Sequence, residues 1–333
     1  RARGIIVNSG NANACTGGPG YSAASDTAAS AEKTLGLSDG DLLVSSTGVI
    51  GVPLPVEKIT SSTDKLAESL RPDGFMDAAG AIMTTDAYPK AASVRLRLAG
   101  GTVTITGIAK GAGMICPDMA TMLAFFATDA SIEVDALKKA VAEANERSFN
   151  SIMVDNDTST NDMMLVLANG ESGTGTVKAG SRDLVRFTEA LTDISIRLAH
   201  MIVRDGEGAT RFIEICVRGA ASVTEARNAA RTIGSSMLVK TAFFGGDPNW
   251  GRLIAAAGRA GVRMNPDRVD MTLNGVPVVK DGLDTGKEAE AARAIDTPDV
   301  TAVVDLKAGK ASATVWTTDL SYEYVKINSE YRT

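Results

Sequence analysis

The chain has 333 residues, of which 44% are apolar and 22% are charged, and its formal net charge is −6. These values are ordinary for a globular protein that buries a sizeable core. The negative charge and the lack of a lysine- and arginine-rich block argue against nucleic-acid binding, and no apolar run reaches the ~20 residues of a membrane-spanning helix.

Short apolar strands and amphipathic helices alternate along the chain. The first part predicts a strand at 5–7, a helix at 22–35, a strand at 42–44, helices at 56–70 and 74–83, a hairpin of 93–98 with 102–108, and a buried strand at 122–127. The second part predicts helices at 134–149 and 182–203, a strand at 212–217, a helix at 223–233, a strand at 238–244 and a helix at 288–294. Alternation of this kind is typical of α/β or α+β layers. Because the chain starts within its first strand, we expect a further N-terminal region to precede Arg1.

Three cysteines and one histidine limit the available chemistry. The three cysteines, Cys15, Cys116 and Cys216, are far apart and form no C-x-x-C pair. We therefore expect no disulfide framework and no zinc site. This use of cysteine fits a protein in a reducing compartment. His200 lies in an apolar helical pattern and is predicted to be a hydrogen-bonded histidine, either in the core or just behind a site. A covalent mechanism then needs another base, and an N-terminal α-amine, with a pKa of about 7.7–8.0, can serve.

Thr121 stands at the head of the predicted buried strand, after a loop of small residues. Gly111 and Gly113 let the backbone bend, and Pro117 stiffens the approach to Ala120. A loop that strains the Ala120–Thr121 bond beside a threonine hydroxyl suits an N→O acyl shift, which would cut the chain and free the Thr121 amine. An ordinary glycine-rich βαβ connection with a threonine at the start of a strand is the simpler interpretation of the same residues.

Three other polar stretches each allow two interpretations. The Thr47 hydroxyl and the Gly48 amide, after a strand, could bind an oxyanion or could form a helix cap or turn. Glu207, between two glycines, could hold an ammonium or could be a solvated residue after a helix end. The run 155–162 is rich in Asp and Asn but lacks the glycine and closing glutamate of an EF-hand, so we interpret it as Asx turns and caps.

Several motifs together resemble the ornithine acetyltransferase family, the ArgJ-type proteins of arginine biosynthesis. The segment around Thr121 matches as KGAGMICPDMATML at 110–123. Further matches are NSGNANACTG at 8–17, STGVIG at 46–51, MTTD at 83–86, DGEGAT at 205–210, DPNWGR at 247–252 and INSEYRT at 327–333. They occur in family order from residue 4 to residue 333. Gly246 departs from the pattern, since many members have a larger and often acidic residue there.

The resemblance implies a role for each matching residue. Thr121 would be the nucleophile, exposed by cleavage after Ala120, and Thr47 with Gly48 would stabilise the oxyanion. The residues implied in substrate binding are Thr84, Lys110, Thr121, Glu207, Asn328 and Thr333. No metal ligand is implied.

The reaction that the resemblance implies moves an acetyl group from N2-acetyl-L-ornithine to L-glutamate through an acetyl-threonine enzyme, with ping-pong kinetics. It implies no bound cofactor, and some members also accept acetyl-CoA as a substrate. The implied assembly is a cytoplasmic heterotetramer of two α and two β chains from one precursor, which acts on small molecules and has no nucleic-acid or membrane partner.

The implied fold belongs to the α/β class. It has four layers in the order αββα, as in N-terminal-nucleophile enzymes, and a smaller C-terminal α/β part. We place a catalytic domain at 1–235, cleaved between Ala120 and Thr121, and a domain that completes the substrate site at 236–333.

Two alternative functions stay open at this point. An N-terminal-nucleophile aminopeptidase or amidase would use the same threonine but transfer the acyl group to water, and a comparison of hydrolysis with transfer to glutamate separates the two. A non-catalytic small-molecule-binding protein would stay an intact chain, without a mass shift after incubation with acetylornithine.

Overall fold

The computed structural model describes residues 2–116 and 122–330. The elements of the first part are β1 (Gly4–Asn11), α1 (Gly17–Leu35), β2 (Leu42–Val49), α2 (Val56–Thr60), α3 (Thr63–Glu68), α4 (Phe75–Ala81), β3 (Lys90–Leu98), β4 (Gly101–Lys110) and β5 (Leu123–Thr128). Those of the second part are α5 (Val134–Glu146), β6 (Met163–Ala168), α6 (Arg182–Arg204), β7 (Phe212–Ala220), α7 (Val223–Gly234), α8 (Met237–Phe244), α9 (Trp250–Gly258), β8 (Asp270–Leu273), β9 (Val276–Lys280), β10 (Leu283–Asp284), α10 (Glu288–Ala294), β11 (Asp299–Asp305), β12 (Ala311–Thr318) and α11 (Tyr322–Glu330).

Four layers in the order α/β/β/α form the N-terminal part of the fold, as the resemblance implies. The strands β3, β4, β5 and β6 make a sheet in that order. The helices α5 and α6 cover one face of this sheet, where Leu198 and Phe187 lie in its core. Ile5 and Val7 of the parallel β1–β2 pair pack against the other face, and α1 packs on that pair.

The apolar run at 122–127 forms a strand buried on both faces. Phe126 belongs to the core under α5 and α6, whereas Leu123 and Phe125 belong to the core under β1. β5 pairs antiparallel with β4 and parallel with β6, so it lies inside the sheet. Burial on both faces explains why the run does not alternate with polar residues, and it confirms the prediction of a buried strand.

The helix α6 is amphipathic and leads into the polar residues at 205–207. Its N-terminus is capped by Ser181, whose Oγ accepts a hydrogen bond from the Leu184 amide at 3.1 Å. Buried residues recur on the face that packs on the sheet, with the helical period. Among the described residues, no helix combines the length and the apolar character needed to cross a membrane.

A six-stranded mixed sheet forms the C-terminal part, with the strand order β10-β9-β8-β11-β7-β12. Its core is aliphatic, and Ile213, Ile215 and Val217 of β7 have no exposed surface. The helix α7 packs on β7 and β12. The domain division near residue 235 remains a prediction, and the packing of β7 and α7 with the later strands favours a boundary nearer residue 211.

The strand predicted at 238–244 is wrong, because Met237–Phe244 is the helix α8. A short apolar run cannot be assigned by periodicity alone. Here the helix lets Val239, Lys240 and Phe243 point to the same buried side. The helix predicted at 56–70 is also interrupted, and the structure has two short helices, α2 and α3, in its place.

Candidate active site

One cavity of about 300 Å³ gathers residues that are distant in the sequence. It is lined by six of the predicted site residues, namely Thr47, Gly48, Thr84, Lys110, Glu207 and Asn328. These residues come from β2, the loop after α4, the end of β4, the loop after α6, and α11. Ala120, Thr121 and Thr333 lie outside the described residues.

A second, larger groove of about 470 Å³ between α5 and β6 holds none of the predicted site residues. Its walls include Leu137, Val141, Met164 and Val166. The smaller cavity is the better candidate for an active site, because it brings a buried lysine and a buried carboxylate together with hydroxyl groups.

Lys110 ends β4 and is 3% exposed. Its Nζ donates hydrogen bonds to Thr84 Oγ1 at 2.7 Å and to Thr47 Oγ1 at 3.2 Å. Burial lowers the pKa of the Lys110 ammonium, and the charge of Asp86 opposes this shift. Because an ammonium only donates, both threonine oxygens accept from it and can turn their own hydrogens toward another acceptor. The Thr47 hydroxyl is thereby prepared to donate to an oxygen in the cavity.

A buried ion cluster, not predicted from the sequence, lies behind that lysine. Lys90 Nζ is 2.6 Å from Asp86 Oδ1 and 2.5 Å from Asp205 Oδ2. Asp86 also accepts from the amides of Gly111 at 2.7 Å and Thr84 at 3.1 Å. Burial raises the pKa of Asp86, but the neighbouring lysines and the backbone bond outweigh it, and the net pKa is lowered. The cluster therefore joins the loop that carries Thr84 to the end of β4 and the end of α6.

Gly48 lies where β2 comes closest to β1. Its φ is +130°, and a β-carbon added to it would be 2.3 Å from the Gly10 carbonyl carbon. Only glycine fits both the backbone conformation and the approach. Thr47 and Gly48 lie within β2, so their interpretation as a helix cap or turn is wrong.

Glu207 is buried beside the cavity, with only 9% of its surface exposed. Its Oε2 accepts from Asn328 Nδ2 at 2.9 Å, and its amide donates to the Ala112 carbonyl at 2.9 Å. A β-carbon on Gly113 would lie 2.5 Å from the Glu207 carboxyl, so the glycine makes room for it. The interpretation of Glu207 as a solvated residue after a helix end is therefore wrong.

The run 155–162 forms one wall of the cavity, which the sequence did not predict. The lining residues from this run are Asp155, Asp157, Thr158, Ser159, Thr160 and Asn161. The predicted turns are present, since the Asp157 amide donates to Asp155 Oδ1 at 3.3 Å. Tyr324 of α11 also lines the cavity, and burial raises the pKa of its hydroxyl. In the sequence, the run 155–162 stands out as a polar segment between two apolar ones. That pattern could have indicated a cavity wall, but it was assigned to turns alone.

His200 does not line the cavity. Its ring packs edge-on against Trp316, with centroids 4.5 Å apart, and against Phe212 at 5.0 Å. Burial lowers the pKa of its imidazole. His200 is only half-buried in this aromatic contact, and the described lining of the cavity contains no imidazole.

The chain is similar to known proteins in both sequence and fold. The ArgJ family model matches residues 1–333. The arginine biosynthesis bifunctional protein ArgJ of Symbiobacterium thermophilum is 50% identical over 330 residues, which are 99% of this chain and 82% of that protein. The protein of the same name from Geobacter sulfurreducens is 47% identical over 334 residues, 99% of this chain and 85% of that protein. The crystal structure of ArgJ from Bacillus halodurans aligns with a TM-score of 0.59 and 40% identity, covering 61% of this chain and 96% of that chain. The chain therefore belongs to the ArgJ family.

Proposed function

We propose that this chain cuts itself between Ala120 and Thr121 and then uses Thr121 to carry an acetyl group from N2-acetyl-L-ornithine to L-glutamate. Membership in the ArgJ family makes the chain an acetyltransferase of arginine biosynthesis. The observation that carries the finer proposal is the convergence of six residues from separate elements on one cavity, with the Lys110 ammonium between the hydroxyls of Thr47 and Thr84.

Self-cleavage prepares the nucleophile in two steps. Thr121 Oγ attacks the Ala120 carbonyl carbon, the C–N bond breaks, and the proton of the hydroxyl passes to the departing nitrogen. An ester then joins the two residues. Water hydrolyses this ester, which leaves a carboxyl group on Ala120 and both a free hydroxyl and a free amine on Thr121.

Acetyl transfer follows the same chemistry with an external amide. Thr121 Oγ attacks the acetyl carbonyl, the Thr121 amine takes the proton and returns it to the departing ornithine nitrogen, and an acetyl ester remains on Thr121. The amine of glutamate then attacks this ester, the C–O bond to Thr121 Oγ breaks, and the Thr121 amine passes a proton from the glutamate nitrogen to Oγ, so that N-acetylglutamate leaves and the threonine is restored. With His200 away from the cavity, an α-amine of pKa about 7.7–8.0 is the base that suits neutral pH.

The oxyanion formed in both transfers needs donors that are already in place. Lys110 occupies the acceptor side of the Thr47 hydroxyl, which supports a donating role for that hydroxyl, and Gly48 supplies an amide beside it. Removal of one such donor costs about 2.7–4 kcal/mol of transition-state stabilisation in a well-studied protease.

The two substrates differ in charge at their side-chain ends, and the cavity lining includes Lys110 and Glu207, two buried groups of opposite sign. Glu207 suits the ammonium of ornithine, and Lys110 suits the carboxylate of glutamate. Because both groups are buried, their charges act with less screening than at the surface. This arrangement supports one site that serves donor and acceptor in turn.

The proposal extends to the assembly and the setting of the enzyme. We propose two α and two β chains per molecule, a cytoplasmic location and no bound cofactor. Acetyl-CoA is proposed as an additional acetyl donor, to be assayed beside acetylornithine with glutamate as the acceptor.

The decisive experiment is intact-mass spectrometry of the denatured protein, with and without acetylornithine. We expect two chains, one of which begins at Thr121 and gains one acetyl group. Thr121→Ala should remain one chain without transfer activity, whereas Thr232→Ala, which removes an exposed hydroxyl bonded within its own helix, should behave as the wild type. Two fragments from Thr121→Ala, or acetylation on the other chain, would contradict the proposal.

A further inference from the structure

The loop at 154–163 holds the backbone on the N-terminal side of the 117–121 segment. The Asp155 carboxylate accepts hydrogen bonds from the amides of Met114 at 2.6 Å and Ile115 at 2.9 Å. The Val154 amide donates to the Ile115 carbonyl at 2.7 Å. Met114 has φ +55°, which is uncommon for a residue with a β-carbon, so these bonds hold a conformation that the chain alone disfavours.

The other end of the same loop holds the backbone on the C-terminal side of that segment. Asp162 Oδ1 accepts from the Met122 amide at 3.1 Å, and the Met163 amide donates to the Met122 carbonyl at 3.1 Å. Met122 is joined to Thr121 by one peptide bond. The amide that follows the proposed nucleophile is therefore fixed by a carboxylate.

A third set of bonds joins this loop to β2, which carries the proposed oxyanion pair, and to the residue that follows β1. Asn161 Nδ2 donates to the Ala12 carbonyl at 2.7 Å and to the Ser46 carbonyl at 3.0 Å. Ser46 directly precedes Thr47 in β2. One loop is thus bonded to the backbone before the proposed cleavage site, to the backbone after it, and to the strand whose residues would stabilise the oxyanion.

We propose that residues 154–163 are a processing clamp, in which Asp162 and Asp155 are positioning residues for the self-cleavage of this chain. The inference rests on the proposed cleavage between Ala120 and Thr121. Attack of a hydroxyl on the preceding carbonyl needs the reacting atoms held in line at close range, and a misplacement of about 1 Å can cost about 100-fold in rate. Fixing both ends of a short segment is a direct way to supply that alignment.

The partial burial of the two carboxylates supports a role beyond stability. Burial raises the pKa of Asp155 despite three backbone hydrogen bonds, and it raises the pKa of Asp162 to about 7 despite the bond from Met122 and the charge of Lys110. Each carboxylate is thus kept at a position that disfavours its charge, which is common at functional sites.

The test measures the rate at which newly made precursor separates into two chains on a denaturing gel, together with the urea midpoint. We expect Asp162→Ala to slow cleavage about 100-fold, and Asp162→Asn to restore most of the rate because its amide oxygen still accepts from Met122. The matched control is Asp129→Ala, because Asp129 accepts from the Thr104 amide at 2.7 Å at the opposite end of β5. The control should shift the urea midpoint but not the cleavage rate.

The experiment distinguishes a failure of the clamp from a failure of the proposed function. Wild-type precursor that never cleaves would remove the proposed function, and the clamp with it. Wild-type cleavage together with unchanged cleavage in Asp162→Ala, or equal slowing in Asp129→Ala, would overturn the clamp alone. If Asp162→Ala does not fold, Asn161→Ala provides the second test: the clamp requires slower cleavage in it, and a wild-type rate would overturn the inference.

Discussion

The wall of the cavity and the core of the six-stranded sheet bury opposite kinds of side chain. Lys90 and Lys110 are almost fully buried near the cavity, where they contact carboxylates and hydroxyls. The sheet core buries Ile213, Ile215 and Val217 completely, among other aliphatic residues. Burial of charge costs free energy unless every partner is present, whereas burial of aliphatic surface contributes about 25 cal/mol per Å². Burial of aliphatic surface in the sheet therefore offsets the free-energy cost of burying charged groups near the cavity.

The largest expected effect comes from breaking the buried ion cluster. Lys90→Met leaves the carboxylates of Asp86 and Asp205 buried without their cation, and we expect it to lower the free energy of unfolding by about 3–5 kcal/mol. Urea denaturation measures the loss. Lys280→Met is the control, because its ion pair with Asp270 has an exposed lysine and should be worth less than about 1 kcal/mol. Equal losses in the two variants would mean that the cluster does not differ from a surface pair.

Next in size is the loss of one donor in the cavity. Thr47→Ala removes the hydroxyl that Lys110 orients, and we expect acetyl transfer to slow by about 100- to 1000-fold with little change in the urea midpoint. The rate of acetyl-enzyme formation, followed by mass spectrometry, measures it. Ser93→Ala removes a strand hydroxyl outside the cavity and should keep the wild-type rate. An undiminished rate in Thr47→Ala would withdraw its assignment to the oxyanion.

A smaller effect is expected in the sheet core. Ile215→Val deletes one buried methylene group at the centre of β7 and should cost about 0.5–1.5 kcal/mol of unfolding free energy. The transfer rate per folded molecule should not change, because the residue contributes packing and no polar group. A fall in that rate would show that packing in the sheet core affects the cavity. The sheet core could then no longer be described as contributing to stability alone.

The last prediction is a pH dependence and concerns Lys240, a buried amine at the edge of the sheet region. Its Nζ donates to Thr317 Oγ1 at 3.0 Å and to the Thr318 carbonyl, and burial lowers its pKa from 10.5 to about 7. The unfolded chain then binds more protons than the folded one between about 7 and 10.5, so Lys240 makes the protein more stable as the pH rises through that range. We expect the difference in urea midpoint between wild type and Lys240→Met to move in favour of the wild type over this interval. A constant difference would mean that Lys240 stays charged in the folded protein.

Local patterns in the sequence predicted the elements whose burial follows directly from periodicity. The helix α6, the hairpin of β3 and β4, and the strand β5 were all predicted, because each carries a clear 3.6-residue, alternating or continuous apolar pattern. The helix α8 was mistaken for a strand, because eight mostly apolar residues fit either form. Its packing, with Lys240 reaching the end of β12, distinguishes the two.

The sequence by itself determined the family, since its motifs run in order along the whole chain, and it identified six residues that line one cavity. Only the tertiary structure decided what surrounds them: the ion cluster of Asp86, Lys90 and Asp205, and the loop at 154–163 that holds Met122 and Ile115. The physical reason is that a motif records which side chains are present, whereas their partners come from segments more than a hundred residues away in some cases. Those distances, burials and hydrogen bonds exist only once the layers have packed.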